Sequence, residues 1–557
     1  MKSIRYCILP LLLLSSSVFS QEKVRNLIVM IPDGTSSSIL SIARWYKFGA
    51  CPADNCRLAI DRHICGMVST YNSDSPIGDS APTGSTYATG YLSNTGFVAT
   101  YPVSSGKKDL VRVDPLRSYH PLFTILEAAR LQGKSTGLVV TCEFPHATPA
   151  DFSAHTPDRD DEEGIAFQMV HNHLNVVFGG GMQYLDPGQR EDDADLFNVL
   201  RTRNYDIVTS REQFDALTPD DSLVYGLFAE NHLPYHIDRD PDSVPSLAEM
   251  TRKAIRILSE DPNGFFLMVE GSKIDWAAHA NDPVGIITEY LAFDEALKEV
   301  MDFANRDGYT AVVVVPDHGN SGISLGNRET GRNYDQMDVN ELIRPLRKCN
   351  MTADGITSLI KASPDQAAKI FFDHTGLRLT EEETGEIKTS LESDDKYDLP
   401  VTVANLITRN TFIGFTTHGH TGEDVMLAVY HPGNYRPTGI IKNSELHDYM
   451  AEIFNTPDLD SLSDQKFCID TVALAGLIRT IDTTGTKNPR LIIRDNPKSK
   501  TFAVIESGTD YLTVYSKEKP VNTISFNTLA LYVKPLHHFF VPKDMGTLLP
   551  EEITGTK

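Results

Sequence analysis

A three-layer α/β/α sandwich around a large, mostly parallel sheet is the fold the sequence predicts, and three observations predict it. Short apolar runs recur without polar alternation: NLIVMI (26–31), TGLVV (136–140), LNVVF (174–178), FFLMV (265–269), TAVVVV (310–315) and VMLAVY (425–430). Such runs mark strands buried on both faces, as in parallel sheets. Helical patterns lie between them. In 285–308, Ile287, Leu291, Phe293, Leu297, Val300 and Met301 make one apolar face, and Gly308 ends it. Strands alternating with helices give a doubly wound α/β sheet. Finally, metal-type side chains stand just after several strands, at the edge where open α/β sheets bind ligands.

The chain begins MKSIRYCILPLLLLSSSVFSQEK. Lys2 and Arg5 form a basic region, Ile8 to Leu14 an apolar one, and Val18 and Ser20 the small residues before a cut ahead of Gln21. Residues 1–20 are therefore expected to be a signal peptide, and the protein to be exported, to the periplasm or outside the cell. No later run is long and apolar enough to span a bilayer. Six cysteines follow the cut, and Cys51 and Cys56 in CPADNC are the easiest pair to close. The core is expected over 21–320 and again over 411–487. Between them, the polar stretch 321–410 reads as a mostly helical insertion that caps the site. From about 488, RLIIRD, KTFAVIES, YLTVYS and LALYVKP alternate apolar and polar residues, which predicts a small antiparallel β appendage.

With 41% hydrophobic residues among 557, there is ample material for a large core. The formal charge is −24, from 51 basic and 75 acidic side chains, with no basic block. A binder of nucleic-acid backbones carries a basic face, so that class is disfavoured. An acidic enzyme acting on an anion needs local positive charge, which bound metal ions can supply.

Asp33 follows the first strand, Glu270 the fourth run, and Asp317 and His318 the fifth. One acid in such a place is commonly a helix N-cap; three strands delivering such groups to one edge suggest a metal site. Asp275 and His279 are four apart, on one helical face beside Glu270. His418 and His420, in the loop TTHGHTGEDV, are further possible ligands. In DSAPTGSTYATG (79–90), Ser80 sits just before a small-residue helix with Pro82 near its start. A helix N-terminus favours an anion, and a serine there facing zinc can ionise and attack phosphorus.

These segments resemble the alkaline phosphatase family. DSAPTGSTYATG, HATPADFSAHTPDR (146–159), VEGSKIDWAAH (269–279), PDHG (316–319) and HTGEDV (420–425) are similar to its motifs, in the same order. The resemblance covers about 24–320 and 411–480. It implies Ser80 as a nucleophile that becomes phosphoserine. It also implies one Zn2+ held by Asp275, His279 and His420, and a second by Asp33, Asp317 and His318. Asp33, Thr148 and Glu270 would hold a third ion, usually Mg2+. Arg159 would grip two phosphate oxygens, oriented by Asp79. His146 and Trp276, where other members carry different residues, would neighbour the phosphate or the third ion. An imidazole there favours a transition metal, so the third site is expected to accept Zn2+ or Co2+ as well. Small phosphorylated substrates and a homodimer are implied too. The alternative is a phosphodiesterase or sulfatase of the same superfamily. Ser80-Ala81-Pro82-Thr83 faintly resembles a sulfatase motif, but Gly84 stands where that motif needs Arg.

Overall fold

Buried on both faces, the six runs become strands of a single ten-stranded sheet, joined by four more. The computed structural model describes residues 24–554 except 52–55, 107–108, 333 and 485–487. The expected signal peptide lies outside the described residues. In chain order the strands are β1 (Asn26–Ile31), β2 (Ile64–Ser69), β3 (Ser135–Glu143), β4 (Val176–Gly180), β5 (Asp206–Val208), β6 (Val224–Leu227), β7 (Phe265–Glu270), β8 (Thr310–Val314), β9 (Val425–Tyr430) and β10 (Gly439–Lys442). Across the sheet they run β10-β2-β9-β8-β1-β7-β3-β4-β6-β5. Neighbours pair parallel except at β9, which runs antiparallel to β2 and β8.

Successive side chains of a strand point to opposite faces, and the core divides accordingly. Ile28 and Met30 of β1 join one apolar cluster, while Leu27, Val29 and Ile31 join the other. Both clusters are completed by helices, which gives the three layers. The helix Pro283–Asp307 covers the first face, started by the Asp282 cap and ended by Gly308 at φ 74°. The four strands without a long apolar run are short or marginal. β5 has three residues, and β10 is a largely exposed edge strand. Register then levels the ligand edge: Ile31 pairs with Glu270, and Met30 with Val314.

The insertion is rooted by a two-residue antiparallel pair, Ser324–Leu325 with Ile413–Gly414. Its helices include Val339–Arg347, Ala353–Ala362, Ala367–Thr375, Glu381–Leu391 and Asp398–Thr408. Ile356, Ile360, Phe371 and Val403 bury into the first core cluster, so the insertion packs on the core. The C-terminal sheet has seven antiparallel strands and starts earlier than the expected 488. Cys468–Ile469 and Ile478–Asp482 already belong to it. These are two and five residues long, too short for their alternation to be read. Leu529, Leu531, Val533 and Phe540 of this sheet bury into the second core cluster, which ties it to the body of the protein. Cys51 and Cys56 form a disulfide, and Cys65, Cys142, Cys349 and Cys468 are free thiols.

Candidate active site

Level strand ends bring the predicted acids together. Asp33, Glu270, Asp317 and His318 are all fully buried. A two-residue antiparallel ladder, His420 with Asn320 and Thr421 with Gly319, ties the later histidine loop to the segment after β8. In the helix Lys273–His279, the four-residue spacing puts Asp275 and His279 on one face. Three groups result whose ligand atoms lie within 4.8 Å of one another: Asp33, Asp317 and His318; Asp275, His279 and His420; and Asp79, His318 and His420. The first two match the sets that the family resemblance implies for zinc. His318 Nε2 lies 3.2 Å from Asp317 Oδ2 and 3.7 Å from Asp33 Oδ1. His279 Nε2 lies 3.3 Å from Asp275 Oδ2 and 3.1 Å from His420 Nε2. His418 is outside these groups. Its Nδ1 meets the His279 carbonyl at 3.0 Å and its Nε2 meets Asn281 Nδ2 at 3.3 Å.

The carboxylates call for cations. Both oxygens of Asp33, Asp317 Oδ2, Glu270 Oε1 and Thr148 Oγ1 are buried with no hydrogen-bond partner in the protein. Buried polar groups are rarely left so. Burial, followed by the charges of Asp317, Asp275 and Glu270, pushes the Asp33 carboxyl well above its ordinary range. Burial and then the Asp317 charge push Glu270 up to about 8. Burial opposes ionisation of Asp275, yet the His279 hydrogen bond and charge hold it far below the usual carboxylate range. Against the same effect of burial, Asp275 pushes His279 up to about 9. Asp33, Asp317 and His318, and likewise Asp275, His279 and His420, suit zinc, and the all-oxygen set of Asp33, Thr148 and Glu270 suits a hard cation. The residues present therefore fit the ions that the sequence implies.

Ser80 opens the helix Ser80–Thr89, with Asp79 at its N-cap position. Asp79 makes no side-chain cap hydrogen bond. Instead its Oδ1 accepts from Arg159 Nη1 at 2.9 Å. Burial opposes its charge, but Arg159, then His318 and His420, keep its carboxyl below the ordinary value. Ser80 Oγ lies 3.3 Å from His318 Nε2. All ten residues of this helix are buried, and their small size permits it. The closest fit is at Gly84, where an added Cβ would run into Asp151 Oδ2. Asp151 is itself fully buried and accepts from Ser85 Oγ at 2.7 Å. Gly84→Ala is therefore expected to cost about 1–3 kcal/mol in denaturant unfolding. The same change in an Asp151→Ala chain should cost less. Equal costs in the two chains would disprove this contact.

A cleft of about 1080 Å³ opens over the site. Its lining includes Ser80, Arg159, Asp275 and His420, and from the insertion Asp354, Lys361, Lys396 and Tyr397. His146 and Trp276 line it too, with ring centroids 5.6 Å apart in an edge contact. Burial, then the Arg159 charge, pushes His146 down to about 3, so its ring is neutral. Several contributors had no mark in the sequence. Asn320 Nδ2 donates to Asp275 Oδ1 at 2.6 Å across 45 residues. Asp151 underlies the Ser80 helix, and His232 lines the cleft from a loop. Lys273, beside a predicted ligand, is fully buried, and burial pushes its ammonium down to about 8. The strand-end rule, helical spacing and the family motifs pointed to the site, and none of them reaches a side chain brought in from a distant loop or from beneath a helix.

Fold and site together define an α/β/α hydrolase built for phosphoryl transfer, with a serine at a helix N-terminus among metal-type ligands. The model of the family described as alkaline phosphatase matches residues 24–456. The chain is 33% identical over 475 residues to alkaline phosphatase 3 of Bacillus subtilis (strain 168), covering 80% of this chain and 96% of that protein. To the repressible alkaline phosphatase of Saccharomyces cerevisiae it is 32% identical over 454 residues, covering 74% and 76%. Among solved structures, the cold-active alkaline phosphatase of the psychrophile Shewanella sp. is similar with a TM-score of 0.66 at 29% identity, over 78% of this chain and 100% of that one. The Thermus thermophilus alkaline phosphatase gives a TM-score of 0.69 at 26% identity, over 81% and 96%. The chain belongs to the alkaline phosphatase family and hydrolyses phosphate monoesters. The seven-stranded C-terminal sheet lies beyond the span that the family model matches.

Proposed function

We propose that this hydrolysis proceeds through a phosphoserine at Ser80, at a site holding two zinc ions and a third ion. The observation that carries this reading is Ser80 Oγ at 3.3 Å from His318 Nε2, on a buried helix N-terminus beside Arg159 and three donor groups. Asp275, His279 and His420 would hold one zinc, and Asp33, Asp317 and His318 the other. Asp33, Thr148 and Glu270 would hold the third ion. When bound, the ions supply Lewis acidity, lowering the pKa of the attacking hydroxyl and offsetting charge on the phosphoryl and leaving oxygens.

The chain's own residues do the positioning, which is most of the work in phosphoryl transfer. Arg159, held by Asp79, binds two non-bridging oxygens with its planar fork. The first N–H groups of the Ser80 helix face the same anion. Ser80 Oγ forms a bond to phosphorus and gives up its proton to solvent, as the ester O–P bond breaks and the leaving oxygen takes a proton from water. In the second step a water oxygen bonds to phosphorus, the Ser80 O–P bond breaks, and Oγ regains its proton. The cleft accommodates the alcohol portion, with the insertion limiting its size. The imidazole of His146, two residues before Thr148 in the sequence and on the wall of the cleft, supports Zn2+ or Co2+ there as an alternative to Mg2+.

Export to the periplasm or the exterior is supported by the leader at 1–20, and a homodimer by the family resemblance. Among the described residues no helix is long and apolar enough to cross a membrane. One preparation tests the central reading. An aryl phosphate is expected to turn over at least about 100-fold faster than a bis-aryl phosphate or an aryl sulfate, because Arg159 suits a terminal dianion. About two zinc ions and a third metal per chain are expected on the same sample. Equal turnover of the diester or the sulfate would favour the alternative hydrolase of the superfamily.

A further inference from the structure

A second cavity, of about 520 Å³, shares no lining residue with the cleft over Ser80. It lies at the seam between the core and the C-terminal sheet. The core contributes Arg130, in the last turn of the helix Ile125–Leu131, and Lys466, the last residue of the helix Leu459–Lys466. The sheet contributes Ser525 and Asn527 of the strand Lys519–Val533. Both cations reach the same residue. Arg130 Nη2 donates to the Asn527 carbonyl at 3.1 Å, and Lys466 Nζ donates to Asn527 Oδ1 at 3.2 Å. The site therefore exists only because the sheet docks on the core.

The acids whose charges reach Arg130 are committed elsewhere, Glu127 to His155 and Asp510 to Arg203 and His173. Arg130 Nε is buried with no hydrogen-bond partner in the protein. Burial works against the guanidinium charge by more than Glu127 and Asp510 support it. A basic residue in the last turn of a helix suits the macrodipole, but an exposed side chain does that too. Leaving a charged donor buried and unpaired is costly, and is usually explained by a missing partner. Asp544, the other acid of the wall, is exposed. Phe526, Pro542 and Leu548 make the rest of the wall apolar. A mostly apolar hollow of this size with a few convergent polar groups is typical of a small-molecule site.

We propose that this seam cavity is a second ligand site, taking a small organic anion whose carboxylate or phosphate group lies between Arg130 and Lys466 and whose apolar part lies on Phe526, Pro542 and Leu548. A guanidinium and an ammonium converging on one residue suit either head group. The anion gives Arg130 Nε the acceptor it lacks. It also touches both core and sheet, so its binding stabilises their junction.

Calorimetric unfolding of the metal-loaded full chain, titrated with benzoate in one series and phenylphosphonate in another, tests it. A ligand of the folded protein raises the unfolding midpoint with its concentration. The parent chain is expected to respond to at least one probe, and which one it prefers tells carboxylate from phosphate. In Lys466→Met and in Arg130→Met the concentration needed for the same rise should increase at least about ten-fold, the effect of one charge-assisted hydrogen bond. Lys466 is only partly buried, so its variant should fold as the parent does. Leu548→Trp keeps both cations and fills the cavity, and it should weaken the response as much. Phenylphosphonate bound in the catalytic cleft would raise the midpoint equally in parent and variants, so only the difference between chains counts. In Lys466→Met and Leu548→Trp, kcat and KM for an aryl phosphate should stay at parent values. No response to either probe, or the same response in the parent and all three variants, would overturn the proposal. A change in KM that parallels the lost response would overturn it too, since it would place the probe in the catalytic cleft.

Discussion

Ser80→Ala is expected to lower turnover of an aryl phosphate at least about a thousand-fold, because removing the nucleophile of a covalent mechanism leaves only binding and charge stabilisation. The change should be chemically clean. Ser80 is buried at the first position of its helix, and no helix cap depends on its hydroxyl. Alanine is a better helix former than serine. None of the acids or histidines proposed to hold cations is altered, so metal content should match the parent protein. Rapid mixing with radiolabelled phosphate ester, followed by acid quench, should trap label on the parent chain and none on Ser80→Ala. Near-normal turnover with intact metal content would remove Ser80 as nucleophile.

Stripping the metals should abolish nearly all activity and leave a protein whose stability depends on pH in a definite direction. Glu270 is pushed up to about 8 and Asp33 well above its ordinary value, chiefly by burial. Between about pH 5 and about pH 8 the folded, stripped chain therefore holds protons that the unfolded chain has lost, so its stability falls as pH rises. His279, pushed up to about 9, acts in the same direction at the upper end of that window. Bound cations take the place of those protons, so the loaded protein should not share this loss. The gap in unfolding midpoint between loaded and chelator-treated protein is expected to widen by several degrees across the window. Calorimetry at several pH values, with zinc and magnesium added back, measures it. A gap that is constant or narrows would mean that these carboxylates do not hold the cations.

Both results depend on proximities of unequal visibility in the sequence. β1, β7 and β8 were legible because an unbroken apolar run has little alternative to a doubly covered strand. The acids one or two residues past those runs were legible for the same reason. Asp275 and His279 were legible from helical spacing together with their place beside Glu270 at the strand ends. β5 and β10 were not, since three residues or an exposed edge carry no periodic signal. The C-terminal sheet was legible as antiparallel, but its start was misplaced because its first strands are so short. By loop chemistry His418 and His420 looked alike, and the family resemblance singled out His420. The ladder between His420 and Asn320 is what brings His420 up to Asp275 and His279.

DSAPTGSTYATG shows the same division within twelve residues. Its composition alone determined a small-residue helix opening on Asp79 and Ser80. That Asp79 holds Arg159 rather than capping the helix, and that Gly84 makes room for Asp151, was decided by the tertiary structure. So was the burial of Lys273 against His232. Local sequence reports burial, periodicity and turn chemistry, because those act over a few residues. Which side chains meet across 80 or 238 residues, as Arg159 meets Asp79 and His318 meets Ser80, depends on strand order and register, which exist only once the sheet has formed.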